Sequence, residues 1–435
     1  MISVTLDETK CKGCTTCIKH CPTEAIRVRN GRAAIIHERC IDCGNCVRVC
    51  PHHAKVAVSD ALDDMRRYKY TVALPAPALY AQFSNLKDSR IVLRALLSLG
   101  FSEVYEPARA AEMISQLTAK KLESQNPGRP RPLISSACPC VTRLIALRFP
   151  NLIPNIMDYM APVELAAILA RETAVLNSGL EPREIGVFFI TPCPAKVTET
   201  HEPRGLFAPV IDHAVSVAEV YKKLLPRMKH DADLNLHDTA GFVGIGWAAA
   251  GGESAAQGDT HFIAADGIES VIKILSDIED GKYPEAEFLE LNACDQGCVG
   301  GCFTVENPYA AKARVRALIR ASRPKTAYGG RSLSTLRELP ITERQAKRGR
   351  KLIPAPPLKL DTDFAKALQK MRGMEALIAK LPGLDCGACG TPCCRALAED
   401  VALGFARETD CIFLAENVYL PPPFRKPIEK EEYNI

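Results

Sequence analysis

The residues that could do chemistry in this chain are its cysteines, which stand in tight groups separated by long stretches with none. Near the start, Cys11-x-x-Cys14-x-x-Cys17-x-x-x-Cys21-Pro22 is followed by Cys40-x-x-Cys43-x-x-Cys46-x-x-x-Cys50-Pro51. Three loops follow further along, around Cys138, Cys193 and Cys294, and a last group runs from Cys386 to Cys411. Thiols two residues apart can converge on one metal centre, whereas disulfide partners are usually spread through a short secreted fold. The chemistry on offer is therefore metal binding and one-electron transfer, with the thiolates kept reduced and metal-bound.

The doubled front run resembles the bacterial two-cluster ferredoxins, in which three close cysteines wrap one cubane and the fourth reaches across to the other. On that pattern Cys11, Cys14, Cys17 and Cys50 hold one 4Fe-4S cluster, and Cys40, Cys43, Cys46 and Cys21 hold a second. Two half-sites that lock each other let metal stabilise a module too small for a good core. Zinc is the competing reading of such cysteines, and eight in this register point away from it.

The central loops read Ser135-Ser136-Ala137-Cys138-Pro139-Cys140, then Thr191-Pro192-Cys193-Pro194-Ala195-Lys196-Val197-Thr198-Glu199, then Glu290-Leu291-Asn292-Ala293-Cys294-Asp295-Gln296-Gly297-Cys298-Val299-Gly300-Gly301-Cys302. Cys138, Cys193, Cys294 and Cys298 can supply four thiolates to one buried cubane, and the glycines of the third loop would let backbone approach a bulky cofactor. The loops resemble, in order and spacing, the three signature motifs of FeFe-hydrogenases: T-S-C-C-P-x-W, M-P-C-x-x-K-x-x-E and E-x-M-A-C-x-x-G-C-x-x-G-G-G. That resemblance implies an H-cluster: a cubane held by Cys138, Cys193, Cys294 and Cys298, bridged through Cys298 to a two-iron subcluster carrying CO, cyanide and an azadithiolate. It also implies that Lys196 donates to a cyanide, that Glu199 and Glu290 are the motif acids, and that Ala76-Pro77-Ala78 lines the other cyanide. A desolvated ammonium is a suitable donor to an anionic acceptor. Hydrogen splitting belongs to the cofactor, while the protein supplies position, donors and exits.

Departures from the family pattern fall at the proton relay. Ala137 stands where the family has a proton-carrying cysteine, and Leu117 and Thr118 fall at the positions of the relay acids. Val141, Thr191, Asn292 and Cys302 also depart from the motifs. General acid–base help is worth about 100- to 10,000-fold, so the expectation is slow turnover or another proton route, with Cys140 and Cys302 as spare thiols nearby. A hydrogen sensor with little turnover and a non-catalytic iron–sulfur scaffold are the alternatives. Lys196 and the form of the third loop argue against the scaffold.

The last group, Cys386-Gly387-Ala388-Cys389-Gly390-Thr391-Pro392-Cys393-Cys394 with Cys411, fits a further 4Fe-4S site of Cys386, Cys389, Cys394 and Cys411. It is similar to the small iron–sulfur domain appended to some corrinoid proteins and divergent hydrogenases, and the choice of Cys394 over Cys393 rests on that likeness. Zinc is again the alternative. In total the expected cofactors are three 4Fe-4S clusters outside the active site and one H-cluster. The expected partners are ferredoxin or a similar carrier, H2 and protons, and hydrogenase maturation proteins.

Elements must hold these residues in place. Residues 1–58 read as an α+β ferredoxin-like module, and 69–322 as an α/β H-cluster domain of alternating apolar runs and helical patterns. Residues 323–362 read as a linker whose basic run Lys347–Lys351 is solvated, 363–415 as a small, mainly helical iron–sulfur domain, and 416–435 as an extended tail. Ile185 to Ile190 reads as a buried strand, and Phe364, Leu368, Met371, Met374 and Ile378 as the core stripe of a helix. A formal charge of +4 gives no reason to expect nucleic acid as a partner, and the apolar runs are too short for a bilayer. With no secretory pattern at Met1 to Asp7, the expected location is cytoplasmic. His52, His53 and His201 lack metal spacing and read as structural.

Overall fold

The computed structural model describes residues 3–124, 128–228, 239–258, 261–322, 341–355 and 360–415. The expected tail and most of the expected linker lie outside them. Two compact units divide the chain: Met1–Val4, Ile41–Gly44 and Ala57–Ala355 form one, and Thr5–Cys40, Asn45–Val56 and Pro356–Ile435 the other. Among the described residues no helix is long and apolar enough to cross a membrane.

The larger unit is built on two parallel sheets. In the first, Glu103–Val104, Tyr70–Pro75, Ile185–Thr191 and His213–Ser216 lie side by side in that order. The strand Ile185–Thr191 is buried along its whole length, as its β-branched and aromatic run requires of a strand covered on both faces. Alternate side chains go to opposite cores. Val187 and Phe189 pack with Leu165, Ala166 and Ala170 of the helix Pro162–Ser178. Phe188 and Ile190 pack with Val92, Leu96, Val217 and Val220.

The second sheet orders Phe262–Asp266, Phe288–Asn292 and Leu133–Ile134, again all parallel. Its core joins Ile134, Leu289 and Leu291 to Val141, Leu144, Val271 and Leu275. All three central cysteine loops leave the C-terminal ends of parallel strands: Leu133–Ile134 runs into Cys138, Ile185–Thr191 into Cys193 and Phe288–Asn292 into Cys294. This is the end of an open α/β sheet where ligands bind.

One buried carboxylate pins the front of this unit together. Asp42, fully buried, accepts the backbone N–H groups of Ser3 and Val4 at 3.0 and 3.1 Å, the Thr198 hydroxyl at 2.9 Å and Arg143 Nη1 at 2.8 Å. Arg143 lies on the helix Pro139–Arg148 that follows Cys138, and Thr198 on the helix Pro194–His201 that follows Cys193. Asp42→Ala strands the Arg143 guanidinium in the core. It is expected to cost about 3–5 kcal/mol of stability, read from denaturant unfolding monitored by circular dichroism.

In the smaller unit Ile26–Arg29 and Arg32–Ile35 form an antiparallel hairpin. The helices Phe364–Lys380 and Cys394–Ala402 meet through Leu377, Leu381, Leu397, Ala398 and Cys411. Here the expected helix stripe is corrected: Leu377 is the buried residue, Met374 and Ile378 pack beside it, and Phe364 and Met371 are exposed. With only one short helix and a loop to cover it, the helix buries just its C-terminal half.

Candidate functional site

Two of the central loops are shaped alike. Cys138 and Cys193 are each the extended residue before a helix, with Pro139 and Pro194 at the helix start. Proline has its φ preset for that position and its missing N–H is not needed there. The third loop is held by close backbone packing. A Cβ on Gly297, at φ 87°, would lie 2.4 Å from Ala250 N, and one on Gly301 would lie 2.2 Å from the Pro192 carbonyl oxygen. These glycines let protein backbone meet protein backbone. Through Gly301 the third loop lies directly on the second.

The four expected anchors are brought into one electrostatic neighbourhood. Desolvation, then the nearby thiols of Cys193, Cys138 and Cys294, push Cys298 well above the ordinary thiol range. Burial, followed by Cys294 and Cys138, pushes Cys193 up to about 12. Cys138 goes the other way, to about 6, because the Cys140 thiol hydrogen-bonds to it, and Cys140 rises well above its usual range as the donor. Lys196 favours the thiolate at Cys138, Cys193 and Cys298. Cys298 keeps exposed surface while crowded by protein, the condition of a side chain lining a recess. Crowded thiols that repel one another's charge, with a lysine beside them, suit an electron-deficient iron centre. No three His, Cys, Asp or Glu side chains among the described residues gather tightly enough to hold a single metal ion.

Around Lys196 lies a small cavity lined also by Glu164, Glu199 and Thr200. Glu199 accepts the Arg204 N–H at 2.9 Å through Oε1, and its Oε2 is buried without a hydrogen-bond partner. Burial raises Glu164, with Lys196 opposing and Glu199 adding to the rise. Arg348 joins this group: burial lowers it, Glu164 and Glu199 oppose that, and its Nη2 donates to the Ser136 carbonyl at 3.4 Å. The basic run 347–351 is thus not wholly solvated, a correction that its charge pattern concealed. Ala76, Pro77 and Ala78 follow the strand Tyr70–Pro75, and Ala78 packs with Ala248, Ala249 and Val299 of the third-loop region.

Glu290 sits on the strand Phe288–Asn292 and accepts from Gly251 N at 2.9 Å, Ser254 N at 2.8 Å and Asn292 Nδ2 at 3.1 Å. Beside it is an acid that the motifs do not contain. Glu253 is buried and accepts the Ser135 hydroxyl at 2.6 Å, and Ser135 Oγ accepts the Ala137 N–H at 3.2 Å. Desolvation, then the charge of Glu290, drives Glu253 well above the carboxylate range. Glu290 has three donors and Glu253 one, so burial pushes Glu253 further toward its protonated form. Leu117 and Thr118, at the expected acid positions, are buried on the helix Pro107–Glu123 and bring no carboxylate.

Of the spare thiols, Cys140 is fully buried and Cys302 packs with Val197, Ala214 and Phe303. Cys43 belongs to the same core as Cys138, Cys193 and Cys140, and a Cβ on neighbouring Gly44 would lie 2.7 Å from Cys302 Sγ. His201 pairs with Asp60 at 2.9 Å, a structural contact.

In the smaller unit Cys11, Cys14, Cys17 and Cys50 line one cavity together with Lys55. Burial raises Cys17, with Lys55 opposing and Cys14, Cys11 and Cys50 adding. Burial likewise pushes Cys46 up to about 12, with Lys55 opposing and Cys21 and Cys40 adding. Lys55 itself is 3% exposed, and its Nζ has no hydrogen-bond partner. A buried, unpartnered ammonium is costly unless an anion compensates it, and thiolate-bound iron–sulfur clusters would be that anion. Lys55→Met is expected to lower the reduction potentials of the N-terminal clusters by about 50–100 mV, the effect of one charge roughly 8–10 Å away at an effective dielectric near 20. Redox titration followed by electron paramagnetic resonance (EPR) checks this.

The C-terminal cavity is lined by Cys386, Cys389, Cys394 and Cys411, and also by Cys393. The Cys393 Sγ accepts the Ala396 N–H at 3.4 Å and donates to Glu24 Oε1 at 3.5 Å, and the Cys394 thiol is hydrogen-bonded to Asp385.

Comparison with known proteins matches residues 69–240 and 230–302 to the iron-only hydrogenase large subunit, C-terminal domain. Residues 3–51 match a 4Fe-4S dicluster domain and 381–413 an Fe-S cluster domain. Iron hydrogenase 1 of Clostridium pasteurianum is 26% identical over 372 residues, 69% of this chain and 64% of that protein. The periplasmic Fe hydrogenase large subunit of Nitratidesulfovibrio vulgaris is 28% identical over 223 residues, 46% of this chain and 52% of that protein. The chain therefore spans between half and two thirds of these relatives' lengths. Distant structural likenesses include the HydA(deltaEFG) FeFe-hydrogenase, with a TM-score of 0.44 and 17% identity over 61% of this chain and 86% of that one. A variant of HydA1 from Chlamydomonas reinhardtii gives a TM-score of 0.43 and 16% identity over 61% and 86%. With the hydrogenase model covering more than half of its residues, the chain belongs to the iron-only, or FeFe, hydrogenase large-subunit family.

Proposed function

We propose that this chain interconverts hydrogen with protons and electrons at an H-cluster held by Cys138, Cys193, Cys294 and Cys298. The observation that supports the reading is the mutual electrostatic influence of these thiols, from three loops at strand ends, with Lys196 acting on Cys138, Cys193 and Cys298. When bound, the two-iron subcluster supplies the splitting and formation of hydrogen, and every other task falls to the protein. Lys196 offers its ammonium to an anionic cyanide from a site where Glu164 and Glu199 balance its charge. Ala76, Pro77 and Ala78 wall the site with apolar atoms and backbone. Glu199 and Glu290 brace the second and third loops through their backbone partners.

A proton has no thiol to ride on at Ala137. The carboxyl of Glu253 with the Ser135 hydroxyl is a buried pair hydrogen-bonded to the Ala137 N–H, and it replaces the family's relay in this reading. Cys43, whose side chain shares a core with Cys138 and Cys193, would be the ferredoxin-run ligand on the active-site side, and 4Fe-4S clusters, when bound, would supply one-electron exchange with ferredoxin or a similar carrier. Maturation proteins deliver the two-iron unit.

The same alanine favours a second reading, a hydrogen sensor with this cofactor and little turnover. Two measurements test both. Purified, maturase-treated protein is expected to show infrared bands of CO and cyanide, and their absence would overturn the H-cluster reading. Hydrogen uptake with an artificial acceptor then separates enzyme from sensor.

A further inference from the structure

In the smaller unit the C-terminal cysteine group lies directly on the first ferredoxin-type run. A Cβ on Gly387 would lie 2.8 Å from Lys19 Cε and 3.5 Å from Ile18 Cδ1. Gly387 follows Cys386 and Ile18 follows Cys17, so a single side-chain contact separates residues adjoining a cysteine of each set. Lys19 Nζ donates to the Pro392 carbonyl at 3.1 Å, Val28 N to the Gly390 carbonyl at 2.8 Å, and Arg29 Nη1 to the Cys389 carbonyl at 2.8 Å. Buried Asp400 closes the clamp, accepting Arg27 Nε at 2.7 Å and Arg29 Nη2 at 2.8 Å, while Glu399 pairs with Arg39. These contacts are largely main-chain and charge-assisted, the kind that fix one geometry.

We infer that the cluster of the Cys386–Cys411 set exchanges single electrons directly with the cluster of Cys11, Cys14, Cys17 and Cys50. This rests on reading both sets as four-iron sites. One cluster loses an electron and the other gains it, with no bond broken and no proton moved. The electron is one that hydrogen oxidation or the reduced carrier already provides. The C-terminal module thus extends the electron line of the ferredoxin-type run and is not a separate port.

The test uses the full-length, iron-loaded protein and EPR at cryogenic temperature. Poised so that only one of these clusters is reduced, the protein is expected to give a narrow signal. Fully reduced with dithionite, it should show broadening or splitting and faster spin relaxation beyond what the two front clusters alone give in the Cys386→Ala, Cys389→Ala variant. Cys386→Ala with Cys389→Ala should remove four irons and leave only the coupling of the two front clusters, with circular dichroism checking the fold. Asp400→Asn should weaken the added interaction at unchanged iron content. A fully reduced wild-type spectrum equal to the variant's spectrum plus an independent signal of the C-terminal cluster would overturn the inference. None of this involves hydrogen or the two-iron unit. Infrared bands without the added magnetic interaction would sink this inference alone, and the added interaction without bands would sink the hydrogenase reading alone.

Discussion

Alanine at Cys193 is expected to abolish hydrogen conversion and to remove the CO and cyanide bands, while leaving the chain folded. The fold should survive because the loop does not depend on this thiol. Thr191 Oγ1 donates to the Cys193 carbonyl at 3.1 Å and accepts the Cys193 N–H at 3.3 Å, and Phe303 N donates to the Pro192 carbonyl at 3.0 Å. What would be lost is one of the four proposed anchors, in surroundings whose burial pushes the Cys298 thiol away from ionising. Iron analysis should show the active-site cubane missing and the other clusters present. Cys302→Ala is the control, since that thiol packs against apolar side chains and should leave the bands in place. Bands retained in Cys193→Ala would remove this residue from the anchor set and with it the proposed cage.

The iron–sulfur domains were legible in the sequence because their pattern is local, with thiols at fixed short spacings beside glycine and proline. The strand Ile185–Thr191 was legible for a similar reason: a run of apolar β-formers can satisfy its backbone only inside a sheet. Residues whose roles depend on what the fold packs against them were not. Asp42 reads as one more polar residue between two cysteines, yet four groups from distant segments converge on it. Lys55 looks like a surface lysine, and only the folded module reveals that its ammonium is buried. Arg348 hides in a charged run that pattern reading assigns to solvent, while the helix exposing Phe364 and Met371 carries a stripe that the same reading assigns to a core. Periodicity states which face is apolar, not whether a partner exists to cover it.

Glu253 belongs to this second class, and its replacement by glutamine is expected to lower hydrogen turnover by about 100- to 10,000-fold while leaving the infrared bands intact. It stands in the segment Ala248–Ala256, small residues and glycines in which no motif flags an acid. The fold sets it near Glu290, whose charge adds to burial in raising Glu253 above the carboxylate range, and the Ser135 hydroxyl ties Glu253 to the loop that carries Ala137. Glutamine keeps an acceptor for Ser135 and the size of the side chain but cannot give up or take a proton at this pH, so a purely structural role would leave the rate near wild type. Adding a thiol at the family's position offers the second arm. Ala137→Cys should raise turnover in the parent and should restore part of the loss in the Glu253→Gln background if both groups serve the same step. Unchanged turnover in Glu253→Gln, measured on protein whose bands match the parent, would show that protons reach the site without this carboxyl.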